Sequence, residues 1–88
     1  MTVLRRTPAR RALLQAIADG AVTEEWDIGT QSVYALWNQG PRARRVTAAA
    51  DQLRKAGVAE PGPNDFRVRW VLTPVGEELL RQWSAGAS

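Results

Sequence analysis

The 88-residue sequence contains no cysteine and no histidine. Without cysteine the chain has no disulfide framework, and no thiolate can act as a nucleophile or a metal ligand. Without histidine it lacks the side chain that most often serves as a general base and metal ligand near neutral pH. We therefore expect no enzymatic activity, no cofactor and no metal site.

Long apolar runs are also missing, since the longest, VYALW at 33–37, has five residues. A membrane-spanning helix needs about 20 apolar residues, and the apolar part of a secretory signal has about 7–15. The sequence therefore predicts a soluble protein of the cytoplasm, located at the nucleoid if it binds DNA.

Charge is present in abundance, but it is segregated along the chain. Twelve basic residues and nine acidic ones give a net charge of +3, and all but one of the basic residues are arginine. Residues 1–11 carry four arginines and no acid, whereas 12–40 carry four acids and no base. A second basic block follows at 41–57, with five basic residues and Asp51. This alternation predicts a surface with one positive face.

Threonine, proline and glycine mark where the elements begin and end. Threonine followed by proline stands at 7–8 and again at 73–74, and this pair caps a helix and fills its first position without losing a hydrogen bond. Residues 31–37 fit either a short helix or a strand that returns from a turn, and we favour the helix.

One domain is predicted at 1–83, with a basic arm (1–6), a first helix (8–19), a short second helix or strand (31–37), a recognition helix (43–56), a wing (58–72) and a last helix (74–83), followed by a flexible tail (84–88).

The helix predicted at 43–56 has a divided surface. Its buried face follows the i, i+3, i+4, i+7 pattern and comprises Val46, Ala49, Ala50 and Leu53. Its outer face is polar, and a helix of this kind fits the major groove of DNA, where arginine binds guanine bidentately and glutamine binds adenine. The residues predicted to contact DNA are Arg42, just before the helix, and Arg44, Arg45, Thr47, Ala48, Asp51, Gln52 and Lys55.

Segment 58–72 has the pattern of two strands joined by a turn rich in proline and glycine. Apolar residues at 66, 68 and 70 alternate with Arg67 and Arg69, as in a strand with one buried face. A ribbon beside the recognition helix forms a wing that contacts the backbone or minor groove of DNA. The predicted wing contacts are Asn64, Arg67 and Arg69, and Arg5, Arg6, Arg10 and Arg11 are expected either to contact phosphates or to remain solvated.

The strings VTAAADQLRKAGVAE and FRVRWVLTPVGEELL resemble the recognition helix, wing and last helix of winged helix-turn-helix regulators. The pattern is nearest to MarR- and PadR-type repressors, and small actinobacterial and phage winged-helix proteins are closer in size. The resemblance implies an α+β fold, a small winged helix-turn-helix domain with three to four helices and a two- to three-stranded antiparallel wing sheet. It also implies binding of double-stranded DNA, often as a dimer.

We therefore expect sequence-specific DNA binding by a small bacterial or phage transcriptional regulator, most simply a repressor. A DNA-architectural protein or recombination directionality factor fits the same features, and so does a winged-helix module that binds another protein. Trp26 and Trp37 are expected to fill the core. The apolar stripe of the last helix either forms a homodimer interface or packs on the first helix, and it comprises Val75, Leu79, Leu80 and Trp83.

Overall fold

The computed structural model describes residues 5–39, 42–62 and 68–85, which form three helices and five strands. The helices are α1 (Pro8–Ala18), α2 (Thr47–Lys55) and α3 (Pro74–Ala85). The strands are β1 (Val22–Asp27), β2 (Ser32–Gln39), β3 (Arg42–Arg45), β4 (Ala59–Pro61) and β5 (Val68–Leu72). The fold is α+β, as predicted. None of the described helices combines the length and the hydropathy that crossing a bilayer requires.

The five strands form one antiparallel sheet in the order β3-β2-β1-β5-β4. It is larger than the predicted two- to three-stranded sheet because β1, β2 and β3 join the two strands of the predicted wing. The helices pack on the face that carries Val22, Ala35 and Trp70, all of which are buried in the core. The register places Thr23, Tyr34 and Arg45 on the opposite face, which we call the open face.

Helices α1 and α3 begin as the threonine–proline pairs predict. The Thr7 hydroxyl oxygen accepts a hydrogen bond from the Arg10 amide at 3.0 Å, and the Thr73 hydroxyl oxygen accepts one from the Gly76 amide at 3.1 Å. The last helix is longer than predicted, since residues 84–85 of the expected flexible tail are helical. The remainder of that tail, 86–88, and residues 1–4 of the basic arm lie outside the described residues.

The helix favoured at 31–37 is wrong, because these residues belong to the turn before β2 and to β2 itself. The carboxylate of Asp27 accepts hydrogen bonds from the amides of Gly29 at 2.9 Å and Thr30 at 3.4 Å, which closes the turn. Gln31 adopts a φ of 52°, so the chain reverses and pairs β2 with β1. By its sequence the apolar run 33–37 is compatible with a helix or a strand. Pairing with β1 on one side and with β3 on the other makes it a strand.

The predicted start of the recognition helix at 43 is also wrong. Residues 42–45 form β3, and the helix begins at Thr47. The Val46 amide donates to the Ala35 carbonyl at 2.9 Å, so β3 remains paired with β2 up to the point where the helix starts. Arg42, Arg44 and Arg45 are therefore strand residues rather than residues that precede or open a helix.

One core joins the helices to the sheet. Val46, Ala50 and Leu53 are buried as predicted, but Ala49 is exposed and lies outside the buried face. Trp70 and Trp83 lie in the core, and Trp37 is half-buried against it. Trp26 does not fill the core, since 59% of its surface is exposed.

Helix α3 lies close to the chain that leaves α2. The Thr73 hydroxyl donates to the Gly57 carbonyl at 2.6 Å, and the Thr73 amide donates to the Val58 carbonyl at 3.1 Å. A Cβ atom at position 76 would collide with the Val58 carbonyl, so Gly76 is required by this approach. Within the stripe proposed for dimerisation, Trp83 is buried, Leu79 and Leu80 pack against the chain's own core, and Val75 is exposed.

Candidate nucleic-acid interface

The most basic element of the described chain is β3, which we call the arginine strand (Arg42–Arg45). All four of its residues are exposed, and three are arginine. It lies at the end of the sheet, so one of its long edges has no neighbouring strand among the described residues. Its two faces carry different arginines, because Arg44 pairs with Trp37 on the helix-bearing face whereas Arg45 pairs with Leu36 on the open face.

The backbone of the arginine strand also presents hydrogen-bonding groups to its outer edge. Hydrogen-bonded and non-hydrogen-bonded pairs alternate along an antiparallel ladder. Because the Val46 amide donates to Ala35, the pairs of Arg44 and Arg42 with β2 are the hydrogen-bonded ones. The N–H and C=O groups of Ala43 and Arg45 consequently point away from β2, towards solvent.

Aromatic residues of β2 support two of the arginines. The Arg44 guanidinium carbon lies 5.1 Å from the centroid of the Trp37 ring, and that of Arg45 lies 4.0 Å from the centroid of the Tyr34 ring. Both distances fall within the range of cation–π contacts. The stacking limits the rotamers of the two long side chains and leaves the edges of both guanidinium groups able to donate hydrogen bonds.

Arg45 has a second partner, because its guanidinium lies 3.4 Å from the Asp27 carboxylate in an exposed salt bridge. The pKa of Asp27 is below its ordinary value, chiefly because the Thr30 amide donates to the carboxylate, and Gly29 and Arg45 lower it further. Asp27 thus connects the β1–β2 turn to the arginine strand. An exposed ion pair of this kind contributes little to stability, so its main effect is on the direction of the Arg45 side chain.

Helix α2 follows the arginine strand after one residue, Val46. No side chain of the described residues caps its first turn. The exposed residues Thr47, Ala48 and Ala49 therefore present free amides at the positive end of the helix dipole. Among them Thr47 is held to the sheet, since its hydroxyl oxygen accepts a hydrogen bond from the Ala35 amide at 3.3 Å.

The charges in the second half of α2 pair with one another. Asp51 lies 2.7 Å from the Arg54 guanidinium and 3.1 Å from the Lys55 ammonium. These two cations, Arg54 first, hold the pKa of Asp51 below its ordinary value. Asp51 is thus an internal counter-ion of the helix, which removes much of the positive potential that Arg54 and Lys55 would otherwise give it.

The N-terminal arginines meet α2 at Gln52. The Arg10 guanidinium donates to the Gln52 side-chain oxygen at 3.4 Å and to the Arg5 carbonyl at 2.7 Å. Arg6 and Arg11 line a shallow cavity of about 360 Å³ with Thr7 and Pro8. The contact brings Arg10, from the first basic block, beside Gln52 on α2.

The predicted wing residues are not brought into this surface by the described structure. Arg69 lies on the open face opposite Thr23, and its side chain runs over Gly20. Asn64 and Arg67 lie outside the described residues. Of the predicted site, the structure therefore brings together the arginines of β3, the start of α2 and the Arg10–Gln52 contact.

Sequence reasoning missed Tyr34, Trp37 and Asp27 as partners of the arginines. The two aromatic residues could be found from strand alternation. Residues 34 and 36 lie on one face of a strand and 35 and 37 on the other, and each face carries an arginine of β3.

Comparison of the chain with known protein families, with characterised proteins and with solved structures gives no match.

Proposed function

We propose that this chain binds double-stranded DNA through the surface where the arginine strand runs into α2. The observation that carries the proposal is the exposure of Arg42, Arg44 and Arg45 on a strand that leads directly to an uncapped helix N-terminus. Arginine forks and free helical amides are both strong ligands for phosphate oxygens. Their combination on one short stretch of chain favours a polyanionic backbone as the partner.

The arginine strand and α2 have different roles in the proposed interface. The arginine strand contacts phosphates, because its cations and the outward amides of Ala43 and Arg45 are spaced along a line. The outer face of α2 contacts base edges, and the short Ala48 and Ala49 allow close approach of the helix backbone. Gln52 and Lys55 are the side chains of that face long enough to reach a base or a phosphate.

The winged helix-turn-helix interpretation belongs to the same proposal. Helix α2, the β4–β5 hairpin and α3 follow one another in the order of a recognition helix, a wing and a last helix. Among the described residues, strands β2 and β3 stand where a helix-turn-helix has its first helix. In a helix-turn-helix that first helix crosses the DNA backbone, and we assign this role here to the arginine strand.

The biological role we propose is a small transcriptional regulator that acts on the nucleoid. A domain of this size covers little DNA, so specific binding favours two copies at a repeated site. A dimer through α3 would have to use the exposed Val75, because the other apolar residues of its stripe pack inside the chain.

The test is the salt dependence of binding to a short labelled DNA duplex, measured by fluorescence anisotropy. Log affinity falls with log salt by about 0.9 for each phosphate neutralised. The triple variant R42Q/R44Q/R45Q is expected to bind more weakly and to lower the slope by about 2.7, as the loss of three such contacts requires.

Arg81→Gln is the matched control, because Arg81 is an exposed arginine on α3 that pairs with Glu78. It should change neither the affinity nor the slope. Equal slopes for the wild type and the triple variant would remove the arginine strand from the interface and the proposal with it.

A further inference from the structure

The tip of the β1–β2 hairpin exposes more apolar surface than a solvated turn requires. Trp26, Ile28 and Val33 are 59%, 81% and 51% exposed. Trp26 and Val33 stand directly opposite each other in the strand register, so their side chains lie side by side on the helix-bearing face. We call these three residues the apolar tip. Contiguous exposed apolar surface of this kind marks interaction sites.

The apolar tip continues into a cavity of about 80 Å³ between the sheet and α2. Val33 lines this cavity together with Glu24, Thr47, Asp51, Arg54 and Trp70. Trp70 is only 5% exposed, and its indole N–H has no acceptor among the described residues.

The charge around the tip selects the kind of partner. Glu24 lies on the same face of the hairpin as Trp26 and Val33, whereas Glu25 and Asp27 lie on the open face, where Asp27 is paired with Arg45. In the cavity wall Asp51 is paired with Arg54 at 2.7 Å, whereas no cation of the described residues lies within salt-bridge distance of Glu24. A carboxylate in this position beside apolar surface favours a cationic partner over DNA or an anionic lipid surface.

A second copy in a two-fold arrangement is disfavoured for the same reason. In such a dimer the same patch meets itself, so the acidic residues of the two tips would be brought together. A partner with cations beside apolar side chains has the complementary chemistry.

We infer that the apolar tip and the adjoining cavity form a docking site for a protein segment in which a lysine or arginine neighbours an apolar side chain. The apolar side chain packs on Trp26 and Val33, and the cation faces Glu24. The site adjoins the surface proposed to bind DNA, since Thr47 and Tyr34 line its cavity, but Trp26, Val33 and Glu24 have no part in that surface and the inference does not rest on the DNA-binding proposal. It gives the molecule a protein-binding surface in addition to its basic one.

The test is selection from a random peptide display library on the wild-type protein, with the W26S/V33S variant as counter-target. Trp26 and Val33 are exposed, so this variant should keep its fold, which circular dichroism checks. Enriched peptides are expected to carry a lysine or arginine beside an aliphatic or aromatic residue. The best peptide, measured by fluorescence polarisation, should bind W26S about tenfold or more weakly, as expected of a central anchor.

Two further variants separate the parts of the proposal. E24Q should weaken binding about two- to fivefold, as expected of one exposed ion pair. V75S removes a different exposed apolar residue and should bind like the wild type. Failure to enrich peptides over the counter-target, or enrichment of peptides whose binding is insensitive to E24Q, would overturn the inference.

Two controls identify other outcomes. Concentration-dependent self-association that W26S abolishes in sedimentation velocity would assign the tip to a second copy and contradict the inference. W26S and E24Q should bind the DNA duplex like the wild type. Loss of DNA binding by these variants would also contradict a separate site, whereas a wild-type protein that binds peptide but no DNA would refute only the DNA-binding proposal.

Discussion

The two halves of the chain use their tryptophans in opposite ways. In the half that contains α2, β4, β5 and α3, Trp70 and Trp83 are buried in the core. In the half that contains β1, β2 and β3, Trp26 is largely exposed and Trp37 lies beneath the guanidinium of Arg44. The same residue type is thus buried in one half, whereas in the other it is exposed, as Trp26 is, or lies between the core and a surface arginine, as Trp37 does.

The charged residues follow the same division. In α2 and α3 acids and bases pair within one helix, as Asp51 does with Arg54 and Glu78 with Arg81. In the β1–β3 half the bases gather on β3 and the acids on the β1–β2 hairpin. Acids and bases that pair within one helix leave little electrostatic potential to attract a partner. Acids and bases on different elements create two surfaces of opposite charge. The half from α2 to α3 is therefore expected to contribute more of the stability, and the β1–β3 half more of the electrostatic attraction to a partner.

Substitution of the tryptophans should give the largest contrast between the halves. Trp70→Ala removes a buried ring and should lower the free energy of unfolding by about 3–5 kcal/mol. Trp26→Ala removes an exposed ring and should change it by less than about 0.5 kcal/mol. Urea unfolding followed by circular dichroism measures both. A Trp26→Ala variant as unstable as Trp70→Ala would show that the tip is part of the core.

A smaller effect is expected where α3 approaches the chain after α2. Gly76→Ala places a methyl group against the Val58 carbonyl and should destabilise the protein by about 1–3 kcal/mol or more, as overpacking does. Gly57→Ala is the comparison, because position 57 has a φ of +78° but no neighbouring atom within 4 Å of the added carbon. Its cost should be about 1 kcal/mol, from backbone strain alone. Thermal unfolding of both variants should rank them in this order, and equal costs would contradict a steric role for Val58.

In the β1–β3 half, the stacking of Arg45 on the ring of Tyr34 should have a smaller effect. Tyr34→Leu removes the ring beneath Arg45 and leaves the charge in place. Loss of a cation–π contact worth about 0.5–1 kcal/mol should weaken DNA binding about two- to fivefold. The salt slope should stay unchanged, since no cation is lost. A shallower slope would mean that Arg45 loses its phosphate contact when the ring is removed.

The smallest effect on stability is expected from the two carboxylates at acid pH. The pKa values of Asp27 and Asp51 lie below the ordinary value of 3.8 in the folded protein. Both carboxylates therefore add stability above that value, and this contribution is lost as pH falls from just above 3.8 through the lower folded-state pKa. Asp27→Asn and Asp51→Asn should each flatten acid unfolding in this window and leave the pH dependence above 6 unaltered. A change confined to neutral pH would contradict the linkage.

The part of the fold that could be predicted from sequence is the part set by local signals. Thr7-Pro8 and Thr73-Pro74 mark the starts of α1 and α3 because a hydroxyl and a proline ring act within a single turn. The alternation of Val68, Arg69 and Trp70 marks β5 for a similar reason, since one face of that strand is buried. These signals need no knowledge of distant residues.

The part that could not be predicted depends on pairing between distant segments. The run VYALW is compatible with a helix until β1 and β3 flank it, and RARR has no alternation of its own. The predicted helix begins four residues before the observed one, so it includes Arg44 and Arg45, which belong to β3. The tryptophan and tyrosine beneath the arginines were missed for the same reason, because they become neighbours only through the β2–β3 register.

The position of the arginine strand at the end of the sheet has a consequence for solubility. An unpaired strand edge is a template on which other chains can add, and like charges are one of the means by which proteins prevent this. The opposite edge, β4, is protected differently, being three residues long and ending in Pro61. Three arginines on β3 make the approach of a second β3 electrostatically unfavourable, so the charges proposed to contact DNA also keep the protein from assembling edge to edge when DNA is absent.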